Sequence, residues 1–171
     1  MHRVLTLVLL SGLLCAATPA PARELFAFDA PAFLAGPSVS RSAFGVTYVY
    51  TGRAPFTASE LQLTVVEVPK ELGEDAAGLP AHCLAAFVDE LRTRDPGLML
   101  GSEQRTSTLG ELSLLERRWL SQRGARMMTG VTACALHGGH FVSANFADDL
   151  RTAVQSFPAL RAALGRLELH F

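Results

Sequence analysis

The sequence lacks any concentration of positive charge. Its 15 basic and 16 acidic residues give a formal net charge of −1, and no basic run is interleaved with aromatic residues. Proteins that bind nucleic acid usually carry a basic patch or stripe, so we expect no nucleic-acid partner. After the apolar run near its start, the sequence also lacks a second long one, so we expect no transmembrane helix in the mature protein.

A recognised catalytic motif is also missing. The Gly-x-Ser-x-Gly segment that exposes a serine nucleophile in many hydrolases does not occur. Asp148-Asp149 is more simply explained as the start of a helical turn, where carboxylates favour exposed N–H groups. We therefore predict no enzymatic activity and no cofactor, and keep a cryptic hydrolase as an alternative. The residues available to such a site are His82, His137, His140, His170, Asp148, Asp149 and many serines.

The first 22 residues have the composition of a secretory signal peptide. A basic start precedes the apolar run 4–17, and Ala20 and Ala22 are spaced like a small-x-small cleavage site. That run is shorter than the roughly 20 residues that a membrane-spanning helix needs. We predict cleavage after Ala22, which leaves residues 23–171 as a single domain in the periplasm or outside the cell.

Cysteine is scarce, and removal of the leader leaves two of the three cysteines. Cys83 and Cys134 form an even pair, which in an exported protein indicates a disulfide. The bridge would close a loop of about 50 residues and contribute roughly 4 kcal/mol in the chain-entropy model. The alternative is two buried free thiols. Cys15 raises the possibility of a lipid-modified N-terminus, but Leu14 stands where a lipobox has a small residue.

Hydrophobic periodicity predicts a strand-rich chain with two helical regions. An apolar stripe predicts a helix from Pro80 to Arg94, and a helical turn or two follow Asp149. A further helix opens at Phe157-Pro158 and ends at Gly165. This order indicates an α+β domain with an antiparallel sheet and helices packed on it. The predicted strands are residues 25–28, 44–50, 61–68, 98–100, 112–120, 126–136, 140–146 and 167–171.

Gly138-Gly139 predicts a two-residue hairpin turn with positive φ angles. In that register His137 faces His140, and Cys134 points away from the face that carries the main apolar set. If the disulfide forms, the helix that carries Cys83 must cover the Cys134 face of the sheet.

The spacing Cys134-x-x-His137-x-x-His140 is the sharpest pattern for a metal, because cysteine and histidine are good zinc ligands. The hairpin register, however, points Cys134 away from the two imidazoles, and a disulfide would occupy its sulfur. We therefore predict no metal site and keep metal binding as an alternative.

The only tryptophan stands beside two arginines. Both residue types are enriched at binding hot spots, so Arg117, Arg118 and Trp119 are a candidate binding surface. Arg117 and Trp119 share one strand face, and Arg118 lies on the other. The alternative is that Trp119 belongs to the core and the arginine stems cover its rim.

Met127-Met128 and the ten phenylalanines also allow an apolar ligand pocket, although methionine fills cores more often.

Several weak motifs occur in a characteristic order along the chain. They are Phe28-x-x-Pro31, the helix from Pro80 to Arg94, Gly110 before the strand of Arg117-Arg118-Trp119, the Gly138-Gly139 hairpin, and the closing unit from Phe157 to Phe171. This order resembles the fold shared by the PsbP proteins of photosystem II, the Ran-binding release factors and exported bacterial proteins of unassigned role. The resemblance implies a PsbP-like α+β fold over nearly all of the mature chain, and an accessory or binding role instead of catalysis.

We therefore expect a binding or accessory domain that contacts another envelope protein. The first alternative is a carrier for a lipid or another apolar small molecule. The second is a cryptic hydrolase or metal-binding protein.

Overall fold

The computed structural model describes residues 25–43, 45–101, 104–110 and 112–171, so the predicted leader lies outside the described part. Two α-helices occur there: α1 (Leu79–Arg94) and α2 (Leu150–Leu164). A 3-10 helix, Lys70–Gly78, precedes α1. The strands are β1 (Phe26–Ala27), β2 (Leu34–Arg41), β3 (Gly45–Gly52), β4 (Glu60–Glu67), β5 (Met99–Leu100), β6 (Arg105–Leu109), β7 (Leu112–Arg123), β8 (Arg126–His137), β9 (His140–Asp149) and β10 (Glu168–Leu169).

Eight of these strands form one sheet in the order β2-β3-β4-β9-β8-β7-β5, and β6 also pairs with β7. Every pairing is antiparallel. The short strands β1 and β10 pair with each other near the two ends of the described chain. The predicted α+β class, with an antiparallel sheet and packed helices, is confirmed.

The main core lies between one face of the sheet and α2. Tyr48, Leu63, Ala144 and Ala133 follow one another across β3, β4, β9 and β8, and all four are buried. Residues two apart along a strand share a face, so the alternating apolar pattern of these strands places their large side chains together. Leu160 of α2 packs into the same cluster and is only 2% exposed.

The opposite face of the sheet is covered by α1. Leu91 of this helix packs with Trp119 on β7 and Met128 on β8 in a second, smaller cluster. Cys134 belongs to this face and is fully buried. The expectation that the helix carrying Cys83 covers the Cys134 face is confirmed, because the two cysteine side chains approach to 2.6 Å. They are not bonded in this structure, so the predicted disulfide itself is not shown.

The β8–β9 hairpin has the predicted turn and register. Gly138 and Gly139 both have positive φ, 56° and 76°, and His137 is paired with His140. Glycine adopts such angles without the steric cost that a Cβ imposes. On the face of the main core, the register pairs Val131 with Phe146, Ala133 with Ala144 and Ala135 with Val142, as the alternation requires.

Some predicted details were wrong. α2 is one continuous helix, so Phe157-Pro158 does not open a separate one and Pro158 lies inside it. The polar and acidic composition of residues 71–78 predicts a loop before α1, but the structure has 3-10 helical turns there, interrupted at Gly73. β2 was not predicted, because its Gly36-Pro37 resembles a turn. β2 lies at the edge of the sheet, where a proline is tolerated, and its pairing with β3 is irregular at this point.

Within the described ranges, no helix combines the length and the apolar character that crossing a membrane requires.

Candidate ligand-binding cavity

The start of α2 is fixed to the sheet by two adjacent carboxylates at the end of β9. Asp148 is fully buried and accepts hydrogen bonds from Thr152 Oγ1 at 2.9 Å and from the hydroxyl of Ser156. Asp149 caps the helix by accepting from the backbone N–H of Arg151 at 3.0 Å. These contacts hold the first two turns of α2 over the sheet.

Asp149 also binds the side chain of Arg151. Arg151 Nε donates to Asp149 Oδ1 at 3.0 Å and Nη2 donates to Oδ2 at 2.8 Å. This bidentate pair, with the capping hydrogen bond from the Arg151 backbone N–H, lowers the pKa of Asp149 to about 2. The carboxylate is therefore ionised across the neutral range and complements the positive end of the helix dipole.

A cavity of about 580 Å³ lies between α2 and the face of the sheet that it covers. Phe146 forms part of its floor, and Phe157 of α2 packs on that ring with centroids 4.9 Å apart. The other lining residues are mostly apolar and come from both the sheet and the helix: Leu61, Leu109, Val131, Ala133, Ala144, Leu150, Ala153, Val154, Pro158, Leu160 and Leu164, with Glu116, Arg118, Thr129 and Arg161 as the polar members.

The rim of the cavity carries exposed apolar side chains. Val154 is 72% exposed and Leu150 is 45% exposed, although Leu160 and Leu164 of the same helix are buried. Exposed apolar groups beside an apolar cavity are typical of a ligand site. The cavity is therefore open to an apolar molecule from the side of α2's first turns.

The sequence contained a signal for this cavity that was missed. Leu150, Val154 and Phe157 stand at i, i+4 and i+7, which places them on one stripe of α2 beside the stripe that packs on the core. A second apolar stripe on a helix that already has a core face indicates an additional apolar partner. Splitting the helix at Phe157-Pro158 concealed it.

The methionines that suggested an apolar pocket lie elsewhere. Met128 is buried under α1 with Trp119, on the other face of the sheet, and Met127 is absent from the cavity lining. Of the phenylalanines that suggested an apolar pocket, Phe146 and Phe157 do line the cavity.

The candidate surface of Arg117, Arg118 and Trp119 is not brought together on one face. Trp119 is 4% exposed and packs against α1. Arg118 points to the α2 face and lines the cavity there. Arg117 lies opposite Thr132 on β8, and its Nε is buried without a hydrogen-bond partner among the described residues. Arg118 is thus the member of the trio that lines the cavity under α2.

The two hairpin histidines lie together but apart from Cys134. The rings of His140 and Phe171 are stacked with centroids 4.0 Å apart, and His137 contacts the same phenyl ring edge-on. Cys134 is buried beneath α1 on the other face. Within the described ranges, no group of three or more histidine, cysteine or acidic side chains is placed to hold a metal ion.

The residues considered for a hydrolase are also separated. Asp148 accepts hydrogen bonds from Thr152, Ser156 and the Asp149 backbone N–H, and no histidine is among these described partners. His82 is exposed on α1. His137 ends β8 and His140 begins β9, at the opposite end of β9 from Asp148.

Cys83 and Cys134 form a polarised thiol pair. Their hydrogen bond raises the pKa of Cys134, and its burial raises that pKa further. The same hydrogen bond lowers the pKa of the half-buried Cys83. Cys83 is therefore the member that ionises first, and thiolate is the nucleophile in disulfide formation.

No protein-family model matches the chain, and no curated protein matches it. Solved structures do match it, and the following are two of those that align over most of its length. Cyanobacterial PsbP (CyanoP) from Synechocystis sp. PCC 6803 has a TM-score of 0.60 at 8% identity, and the match covers 85% of this chain and 87% of that one. LpqN, involved in cell envelope biogenesis of Mycobacterium tuberculosis, has a TM-score of 0.52 at 12% identity, covering 85% and 83%. At such low identity the likeness shows the fold alone. The chain has a PsbP-like fold.

Proposed function

We propose that the protein is an exported, non-enzymatic binding domain of the cell envelope that holds an apolar small molecule in the α2 cavity. The observation that carries this proposal is the cavity of about 580 Å³ with a largely apolar lining. Small-molecule sites typically enclose a few hundred to about 1,000 Å³ of mostly apolar space with a few polar groups. The envelope setting is supported by the likeness to LpqN, whose structural description places it in cell envelope biogenesis.

The binding test uses the mature protein, residues 23–171, and an environment-sensitive apolar fluorophore. We expect saturable binding with one site per chain, which Val154→Asp weakens because it places a charge at the exposed rim of the cavity. Val39→Asp is the matched control, since Val39 is also an exposed valine but lies on β2, outside the cavity. Equal binding by the two variants, or no saturable binding at all, would contradict the proposal.

Contact with another envelope protein remains a second candidate function. β2 pairs only with β3 among the described strands, so its outer edge has free backbone groups, and Val39 on it is 46% exposed. An open edge strand is a site where another chain adds a strand. Native mass spectrometry of the protein isolated from its own envelope separates the two functions: a bound small molecule supports the carrier, and a co-purifying polypeptide supports the contact domain.

The proposed location depends on the leader. We propose that residues 1–22 are removed after Ala22 and that the mature chain works in the periplasm or outside the cell. The intact mass of the exported protein tests this directly, because cleavage at that bond leaves Arg23 as the first residue. A mass that retains the leader, or that carries a lipid on Cys15, would overturn it.

We further propose that Cys83 and Cys134 are joined by a disulfide in the exported protein. Their 2.6 Å approach and the lowered pKa of Cys83 support it. Bond formation removes two electrons and two protons, which a thiol–disulfide oxidant of an oxidising compartment accepts. Alkylation without reductant tests the proposal: the exported protein should show no reactive thiol after unfolding, and two modified thiols would exclude the bridge.

A further inference from the structure

The positive and negative side chains that line the α2 cavity are not equal in number. Glu116 is buried, accepts a hydrogen bond from Ser107 Oγ at 2.7 Å, and lies 3.6 Å from Arg161 Nη1. Arg118 also lines the cavity but has no ion pair or hydrogen bond from its side chain to any described residue. Among the described lining residues, one carboxylate and two guanidinium groups leave one unbalanced positive charge.

The unbalanced charge lies at one side of an otherwise apolar space. Arg118 is paired with Val131 on β8, which is paired in turn with Phe146, three residues before the end of β9. α2 begins where β9 ends, so Arg118 is near the end of the sheet covered by the first turns of α2. The exposed rim residues Leu150 and Val154 belong to those same turns. The cavity therefore has an apolar body and a cationic mouth.

We propose that the ligand is a single-chain amphiphile with one anionic headgroup, a fatty carboxylate, whose chain lies between α2 and the sheet and whose headgroup binds Arg118. This inference rests on the proposed function and adds the headgroup chemistry. A guanidinium presents a planar fork of donors that matches a carboxylate in a bidentate geometry. Arg161 is less available for this role, because its charge is offset by Glu116.

Decanoate and 1-decanol test the headgroup, because they share one chain length and differ in charge. Each compound is titrated into the mature protein with bound fluorophore at pH 7.5, and displacement gives its affinity. We expect decanoate to bind more tightly than 1-decanol. Arg118→Gln should lower the affinity for decanoate about 5- to 10-fold, and the effect is no larger because Arg118 is exposed to solvent. The affinity for 1-decanol should not change. Added salt should weaken decanoate alone, since it screens the headgroup contact.

Two further variants control for loss of charge and for folding. Arg41→Gln removes an exposed arginine from β2, at the opposite edge of the sheet, and should leave both affinities unchanged. Arg118→Lys keeps the charge without the fork and should restore part of the decanoate affinity. Monodecyl phosphate, which has the same ten-carbon chain, reports whether a phosphate headgroup is preferred, and a clear preference for it would overturn the carboxylate assignment.

The outcomes separate this inference from the proposed function. If decanoate and 1-decanol bind equally and Arg118→Gln changes neither, the cavity binds apolar ligands and the anionic headgroup is wrong. If neither compound displaces the fluorophore and the fluorophore itself does not bind, the proposed function fails, and this inference fails with it.

Discussion

Gly130 is a glycine because an indole ring lies against it. Trp119 is its direct partner on β7, and a Cβ added at position 130 would stand 2.0 Å from Trp119 Cζ2 and 2.7 Å from the carbonyl oxygen of Phe146. Neither contact can be relieved easily, since Trp119 is 4% exposed and the Phe146 carbonyl is backbone. The absence of a Cβ at position 130 therefore allows β7 and β8 to pack closely beneath α1.

We predict that Gly130→Ala lowers the free energy of unfolding by about 3 kcal/mol, the upper part of the range for overpacking a core. Urea denaturation measures it. Gly165→Ala is the control, because that glycine ends α2 with a helical φ of −65° and the nearest atom to an added Cβ is 3.4 Å away. The control should change stability by less than about 0.5 kcal/mol. Equal stability of the two variants would contradict the packing argument.

Asp149 gives the protein part of its acid sensitivity. Its pKa is lowered to about 2 by the hydrogen bonds from Arg151, whereas an unfolded aspartate titrates near pH 3.9. A lowered pKa in the folded state means that the stabilisation is complete above about pH 4 and is lost as the pH falls toward 2. Its loss frees the first turn of α2 at the rim of the cavity.

We predict that the free energy of unfolding of the wild type falls more steeply between pH 4 and pH 2 than that of Asp149→Asn. Asparagine still caps the helix but does not titrate, so the two curves converge in acid. Chemical denaturation at a series of pH values checks this. Asp29→Asn is the control, since Asp29 has an 88% exposed side chain at a weak ion pair, and its curve should run parallel to the wild type.

At the scale of elements, the fully buried carboxyl group of Asp148 anchors α2 beyond the first turn, which Asp149 caps. Asp148 reaches two hydroxyls on successive turns of the helix, those of Thr152 and Ser156, and Ser156 is fully buried. Removing the acceptor leaves the Ser156 hydroxyl without this partner away from water, whereas Thr152 Oγ1 still donates to the Asp149 carbonyl oxygen at 3.1 Å. The substitution therefore weakens the packing of α2 on the sheet, and α2 also forms one wall of the cavity.

We predict that Asp148→Ala destabilises the fold by about 2–3 kcal/mol, because it leaves buried polar groups unsatisfied. The same variant should lower amide-exchange protection in α2 more than in α1. Asp89→Ala is the matched control on α1, where the carboxylate is 75% exposed and forms only a surface ion pair. That control should stay within about 0.5 kcal/mol of the wild type. An equal effect of the two substitutions would remove Asp148 as the anchor.

The central strands were predictable because they carry a complete two-residue pattern, whereas β2 and β6 were not. β4 alternates buried Leu61, Leu63 and Val65 with less buried partners. β2 has only Leu34 fully buried, and most of its residues are exposed, so no alternation was available to identify it. β6 is similar, since only Ser107 and Leu109 are partly buried. An edge strand is specified mainly by its neighbour's backbone, which a single sequence does not display.

The continuity of α2 is a case in which packing outweighs a local preference. Pro158 lacks the N–H that an interior helical residue donates, so the sequence predicted a new helix there. Ala153 before the proline and Leu160 after it are both buried. Burial on both sides holds the chain helical through the proline. This continuity also brings the first turns of α2 over the sheet, so the error about the helix hid the cavity as well.

At the scale of the whole molecule, Cys83 and Cys134 were the pair of residues that best predicted how the helices lie on the sheet. Because Cys134 alternates to the face opposite the main core, their pairing required a helix over that second face, and α1 lies there. The cavity under α2 had a weaker marker, the apolar stripe of Leu150, Val154 and Phe157, which indicates an additional apolar partner but not a gap. The volume of the cavity depends on side chains from strands and a helix that are distant in sequence, together with the height at which Asp148 holds the helix. The size of the gap therefore follows from the assembled layers and is not given by the stripe.

The redox state of the cysteine pair should therefore control the stability of the whole domain. Oxidation ties α1 to β8 and closes a loop of about 50 residues, which restricts the unfolded chain and stabilises the fold by roughly 4 kcal/mol in the chain-entropy model. Urea denaturation with and without reductant measures the difference. Cys83→Ala should abolish the dependence on reductant and match the reduced wild type within about 1 kcal/mol, because Cys83 is only half-buried. If oxidised and reduced wild type unfold at the same urea concentration, the pair does not act as a structural link between the two faces of the sheet.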